Sequence, residues 1–357
     1  MRKYLISKEG KFYKANLHVH STISDGAVPP EEVKKIYQDK GYSVVAFTDH
    51  NILWDNNKNL TDENFVALNG MEIDFYEGWN PDFVDKGFSW NSWKGLHACF
   101  IALDPDNLNQ PCWHRTNNKV LGSGYKYVPE IKFDESKPDF DKIYSIEGVN
   151  KALKEARDSG FYVIYSHPTW NCEDYREYSQ YENLHAMEIC NYSCYLSGWD
   201  EYNPRVYDDI LRTGKMIHCV AVDDSHVGRP LNSKRSDVGG GFIMIKSEKL
   251  DYKSITDNLV KGNFYASTGP EIKELYFEDG YLCVTCSPAE RIFLTTSGRR
   301  KDIAYDEDGH GITKAKFRVY TPKDGEEWYV RLTVEDFRGK RANTNAYLTE
   351  ELFKEDK

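Results

Sequence analysis

The sequence predicts an α/β fold with two parts: alternating strands and helices over residues 1–270, then a small all-β unit over residues 271–357. Three observations carry this. The chain has 357 residues, enough for about two domains at roughly 150 residues each. Short apolar runs alternate with helical patterns up to Gly262, the pattern of a parallel barrel or sheet. After Gly269-Pro270 the helical period disappears until the last few residues, and short apolar runs remain, which fits a β-sandwich.

The elements follow in order. Leu17-His18-Val19-His20 ends a first strand. Pro29-Pro30-Glu31-Glu32 opens a helix, with proline and acids suited to a first turn, and Gly41 closes it. Ser43–Phe47 is a buried strand, and Phe65–Leu68 is another that leads into Gly70-Met71-Glu72. His97–Leu103 is a fourth. Residues 104–144 are polar and poorly periodic, a long excursion of the kind that usually carries function. Ser145 caps a helix that ends at Gly160, with Ile146, Val149, Leu153 and Ala156 on one face. Strands follow at Phe161–Tyr165, Ala186–Cys190, Met216–Val222 and Phe242–Ile245. Between them Asn203-Pro204 starts a helix stopped by Gly214, and Asp251 caps a last helix ending at Gly262. Beyond Pro270, Leu275–Val284 reads as a hairpin around Asp279-Gly280. Ile292–Leu294, Phe317–Tyr320 and Trp328–Val334 read as further strands.

Composition narrows the function. Apolar residues make up 40% and aromatics 14%, so the chain can bury a core and is not disordered. The net charge of −11 argues against a nucleic-acid coat or an anionic membrane surface as partner. No uncharged apolar run reaches the roughly 18 residues of a membrane span, and the first residues show no secretory signal. Eight cysteines, several inside apolar runs, read as reduced core thiols, so the expected location is cytoplasmic.

The histidines are placed in a pattern. His18-Val19-His20 puts two imidazoles on one face of a strand. Asp25 follows in Ser24-Asp25-Gly26. His50, Glu72, His167, Asp224 and His226 each follow a predicted strand, and His97 begins one. In a parallel barrel the strand ends converge on one face, where active sites are built. Imidazoles and carboxylates converging there suit two or three divalent transition ions, Zn, Mn or Fe, better than Mg or Ca.

His-x-His, Ser-Asp-Gly, Thr-Asp-His-Asn, Gly-x-Glu, Ser-His-Pro and Asp-x-His, in this order over about residues 15–270, resemble the PHP (polymerase and histidinol phosphatase) superfamily. The resemblance implies a distorted seven-stranded TIM-like βα barrel, a binuclear or trinuclear metal centre and phosphoester hydrolysis. Carried over residue by residue, it implies His18, His20, Asp25, His50, Glu72, His97, His167, Asp224 and His226 as ligands, with Glu72 as the bridging carboxylate. Glu72, Asp224 and His226 are then the residues nearest the chemistry. The family often has His where this chain has Asp25. The tail from Phe264 to Pro270, before a β unit, is similar to two-domain bacterial proteins of the CehA/McbA-like group. The implied activity is cleavage of a small anionic phosphomonoester or phosphodiester by metal-activated hydroxide. One alternative is a carboxyl or carbamate ester hydrolase using the same centre, and another is a non-catalytic metal-stabilised module.

Other features admit plainer readings. Arg229 is a candidate for gripping the substrate phosphate, although with Lys234 and Arg235 it also fits a solvated basic loop. Asp49 either orients a ligand or caps a strand end. Trp79, Trp90 and Trp93 form a substrate wall or a satellite core. His114, His185, His218 and His310 read as surface or structural, and Cys283-x-x-Cys286 as core packing. Gly239-Gly240-Gly241 lacks the strand-then-helix setting of a phosphate loop.

Overall fold

The computed structural model describes residues 2–77, 94–118, 122–320 and 328–354. Strand β1 (Lys3–Tyr4) is short. The first unit contains β2 (Lys11–Asn16), β3 (Val44–Phe47), β4 (Val66–Tyr76), β5 (Gly95–Ala102), β6 (Phe161–Tyr165), β7 (Ala186–Asn191) and β8 (His218–Val222). These seven strands lie side by side in chain order. A parallel bridge from Val19 to Ser225 joins the two ends of the run, with His20 N–H donating to Ser225 O at 2.9 Å and Asp224 N–H to His18 O at 2.9 Å. The same contacts set the His-x-His and Asp-x-His motifs beside each other.

The run is not wholly parallel. β5 is antiparallel to both β4 and β6. The beginning of β5, where His97 lies, therefore shares a rim with the ends of the parallel strands. β4 is also longer than its apolar run suggests and continues through Glu72 to Tyr76. Helices cover the run: α1 (Pro30–Asp39), α2 (Asn57–Leu60), α3 (Ile146–Asp158), α4 (Tyr175–Tyr178), α5 (Tyr192–Leu196) and α6 (Pro204–Arg212). Ser145 caps α3 as its sequence predicts, accepting from Gly148 N–H. Val149, Ala152, Leu153 and Ala156 of that helix are fully buried in the main core.

β9 (Phe242–Ser247) runs antiparallel to β2, α7 (Tyr252–Val260) follows, and β10 (Phe264–Ser267) pairs antiparallel with β9. The chain then makes β11 (Ile272–Glu278), β12 (Tyr281–Ala289), β13 (Arg291–Thr296), β14 (Lys301–Tyr305), β15 (Ile312–Arg318), β16 (Tyr329–Glu335), β17 (Arg341–Thr344), β18 (Tyr347–Leu348) and α8 (Thr349–Phe353). One sheet of this region is β1-β11-β12-β15. The other, β14-β13-β16-β17, continues through β10 and β9 into the first unit. Leu275, Leu282, Val284 and Phe317 of the first sheet meet Ile292, Leu294, Leu332 and Val334 of the second in one dry core, the packing of a sandwich. Cys286 lies in this core and Cys283 is half-buried.

A buried ion pair ties β16 to α6. Asp208 accepts from Arg331 Nη2 at 2.8 Å, Arg331 Nε at 2.9 Å and Tyr329 O–H at 3.0 Å, and the guanidinium side chain is 3% exposed. Removing the carboxylate alone leaves a buried unpaired cation, which costs about 3–5 kcal/mol. Asp208→Ala should lower the unfolding free energy by that amount in urea titration. A loss under about 1 kcal/mol, the scale of an exposed pair, would show that the pair does not join the two units.

Candidate metal centre

The rim gathers its ligands around one carboxylate. A parallel bridge places His50 beside Glu72, and the β4–β5 register sets His97 opposite Asp74, diagonal to Glu72 on the same face. Glu72 is 1% exposed. Its Oε2 lies 3.2 Å from His18 Nε2, 3.3 Å from His20 Nε2 and 3.1 Å from His50 Nδ1. Its Oε1 lies 2.9 Å from His97 Nδ1 and 3.1 Å from His167 Nε2. Asp224 Oδ1 adds contacts at 3.0 Å to His20 and 3.3 Å to His18. At the outer edge Asp25 approaches His226 at 3.5 Å, His20 at 3.7 Å and His50 at 3.8 Å. All nine residues named from the sequence thus come together. Three sets of their ligand atoms, His20-Asp25-His50-His226, His18-His20-Glu72-Asp224 and His50-Glu72-His97, each fall within 4.8 Å.

These contacts fit cations better than a hydrogen-bond network. A carboxylate offers about four lone-pair directions, fewer than the five imidazoles around Glu72. His18 Nε2 and His20 Nε2 stand 3.1 Å apart. Buried Nδ1 of His20, His50 and His167 and buried Oδ1 of Asp224 have no partner of hydrogen-bond geometry. Imidazole and carboxylate donors of this kind are the ligand set of divalent transition ions.

A second layer aims the first. Glu188, fully buried in β7, accepts from His18 Nδ1 at 2.7 Å, His167 N–H at 2.8 Å and Asn191 Nδ2 at 2.9 Å. With its Nδ1 proton on Glu188, His18 presents Nε2 to Glu72 and Asp224, the arrangement that orients metal-bound histidines. Tyr76 O–H lies 2.7 Å from His97 Nε2, on the other side of the ring from Glu72. Asp49 touches no ligand side chain through a hydrogen bond. It accepts from Ser21 N–H at 2.8 Å and Ser24 N–H at 3.0 Å, and so holds the turn that presents Asp25. Gly26 closes that turn against His20, where a Cβ would stand 2.7 Å from the His20 carbonyl carbon. His167 and Asp224 adopt φ of 25° and 53°, left-handed backbone that non-glycine residues rarely take and that clusters at functional sites.

Other sequence candidates go elsewhere. Arg229 is exposed, as are Lys234 and Arg235, and none of them lines the cleft over the cluster. The physical reason is that the loop after His226 leaves the rim for solvent. Gly239, Gly240 and Gly241 do bind an anion, but an internal one: their N–H groups donate to Asp223 at 2.7–2.8 Å. His114 is bonded within its own loop. His185 and His218 flank Tyr162, and His310 is exposed. Trp79, Trp90 and Trp93 lie outside the described residues. The cleft measures about 280 Å³ and is lined by ligand residues together with Tyr76, Trp170, Ser193, Cys194 and Ser197.

In the metal-free chain the cluster holds protons. Burial opposes charge on His20, but Asp224 and Glu72 raise it to about 10. His167 reaches about 9, where Glu72, Asp224 and Glu188 outweigh burial. His50 falls to about 4, chiefly through burial. Burial would raise Glu72, yet His18, His97 and His50 hold it well below the usual carboxylate range. Ligand imidazoles bind metal in the neutral form. Raised pKa values therefore mean protons present at neutral pH that metal must displace, so apparent affinity should rise with pH through pH 6–8. Calorimetry of metal binding in buffers of different ionisation heat should show release of more than one proton per chain. Buffer-independent heats would contradict this. Glu188→Ala should weaken metal affinity by about 10–100-fold, with Glu188→Gln losing less because it keeps an acceptor for His18. An unchanged affinity in the alanine variant would make Glu188 a packing residue only.

A search of curated proteins gives no match. Solved structures with similarity to the chain include a two-domain protein containing a predicted PHP-like metal-dependent phosphoesterase from Bacteroides vulgatus. It has 12% identity and a TM-score of 0.41, over 98% of each chain. A candidate metal-dependent phosphoesterase from Bifidobacterium adolescentis has 15% identity and a TM-score of 0.39, over 64% of this chain and 93% of that one. An amidohydrolase from Chromobacterium violaceum has 15% identity and a TM-score of 0.34, over 59% of this chain and 87% of that one. The PHP domain model matches residues 16–260, more than half of the sequence, and the chain belongs to the PHP domain family.

Proposed function

We propose that this chain is a hydrolase of a small anionic phosphomonoester or phosphodiester, working with two or three divalent ions, Zn, Mn or Fe. The observation that supports this most is the set of five imidazoles around buried Glu72, beneath a cleft open to solvent. Bound ions would supply Lewis acidity toward phosphoryl oxygens and bring the pKa of water toward about 7. The protein's own part is placement. Glu72 and Asp224 hold the inner histidines, and Glu188 fixes the tautomer of His18. Asp25 and His226, with side chains 32% exposed, mark the side where substrate enters. His226 keeps its ring in place through Nδ1, 3.1 Å from the Asp224 carbonyl oxygen.

A second reading has a specific support. Among the described residues no lysine or arginine lines the cleft, so nothing but the ions demands an anionic substrate. A carboxyl or carbamate ester hydrolase would use the same centre. No described helix is long and apolar enough to cross a membrane. All eight cysteines are free thiols, which fits a reducing compartment and the proposed cytoplasmic location.

The test compares kcat/KM of the metal-loaded protein for p-nitrophenyl phosphate, bis(p-nitrophenyl) phosphate and p-nitrophenyl acetate, with inorganic phosphate as competitor. The phosphoester reading expects a phosphate ester to be preferred and millimolar phosphate to inhibit. Preference for the acetate without phosphate inhibition would favour the second reading. Glu72→Ala and His226→Ala should each lose turnover yet stay folded, because the core lies below the rim. Near-normal turnover in either variant would remove that residue from the machinery.

A further inference from the structure

We propose that Trp170 is a stacking platform that selects substrates with a planar, aromatic leaving group; the inference rests on the phosphoester reading. Trp170 lies three residues past His167 and lines the cleft beside the ligands. Its ring centroid is 4.9 Å from those of both His97 and His167, at interplanar angles of 59° and 78°. Neither imidazole stacks on the indole, and the residue is only half-buried.

The backbone that carries the ring is held in place by buried polar groups. Glu201 is fully buried and accepts from the backbone N–H of Trp170 at 2.9 Å and of Thr169 at 3.1 Å. Asn203 bonds both Glu201, at 2.6 Å, and the Thr169 hydroxyl, at 2.8 Å. Burying a carboxylate is expensive unless it is well bonded. Here two of its bonds go to the backbone that carries Trp170, and the indole itself packs against the rings of His97 and His167, so less freedom is lost when a substrate binds against it.

The rest of the described lining points the same way. Ser193, Cys194 and Ser197 are small. Tyr76, the other aromatic, packs on His97 at 5.5 Å. With no lysine or arginine in this lining, the phosphoryl charge falls to the ions, and the group attached to phosphorus meets the indole. Aromatic pairs contribute about 0.5–1.5 kcal/mol beyond area burial, a roughly 2–12-fold preference.

Phenylphosphonate and cyclohexylphosphonate test this, as they share charge, phosphorus group and approximate size but differ in planarity. Inhibition of the metal-loaded enzyme should favour the phenyl compound within that range. Trp170→Leu should bring the two inhibition constants together, while Trp170→Phe should keep part of the preference; metal content is measured in each variant. Equal inhibition in the wild type overturns the proposal, and so does a preference that survives Trp170→Leu. The Phe variant retains a ring against both histidines, so its result stands if the Leu variant binds metal poorly, and a full loss of preference in metal-replete Trp170→Phe also counts against the platform. Failure of both phosphonates and of inorganic phosphate to inhibit would instead bring down the phosphoester reading, and this inference with it.

Discussion

The burial of Glu72 among five imidazoles is the constraint around which the site and its supports are arranged. A carboxylate at 1% exposure is costly without compensation. Its neighbours cannot all donate to it, since it has too few lone pairs, and Nδ1 of His20, His50 and His167 makes no contact of hydrogen-bond geometry. A divalent cation among these groups would make the arrangement favourable. The surrounding fold is arranged to hold this locally unfavourable cluster in place.

The rigidity comes from three directions. From the strands, the Val19–Ser225 bridge and the β4–β5 register fix where His18, His20, Asp224 and His97 emerge. From below, Glu188 and Asp49 use buried carboxylates to hold a ring and a turn. From the flank, Asp223 fills the three glycine N–H groups at 239–241 and also accepts from Tyr37 O–H at 3.0 Å, which draws the segment after Asp-x-His back against α1. The C-terminal strands continue the same sheet and lock onto α6 through Asp208 and Arg331. They supply no member of the described ligand sets.

Much of this was legible in the sequence, because strand-end histidines at short spacing leave a local trace. The capped helix at Ser145 and the change to β structure after Pro270 follow from period, cap and turn chemistry, and the rim residues were marked by their placement at strand ends together with the resemblance to the PHP superfamily. What escaped was set by tertiary contacts. Nothing in Leu96–Ala102 says that β5 runs antiparallel, and the reversal is what brings His97 to the rim. Glu188 sits in an apolar strand run where only its burial marks it. Trp170 resembles any loop tryptophan until Glu201, far along the chain, is seen to hold its backbone. Arg229 looked suitable through its closeness to His226 in sequence, yet its loop turns to solvent. The left-handed backbone at His167 and Asp224 carries no residue signature, since neither is glycine.

The central claim is that the rim is a multinuclear metal centre. Elemental analysis of protein purified without chelators, paired with anomalous scattering from its crystals, addresses this most directly. The account predicts at least two transition-metal ions per chain, with density bounded by Glu72, Asp224 and the imidazoles of His18, His20, His50 and His97. One ion or none in folded protein supplied with metal, or ions bound away from Glu72, would contradict it.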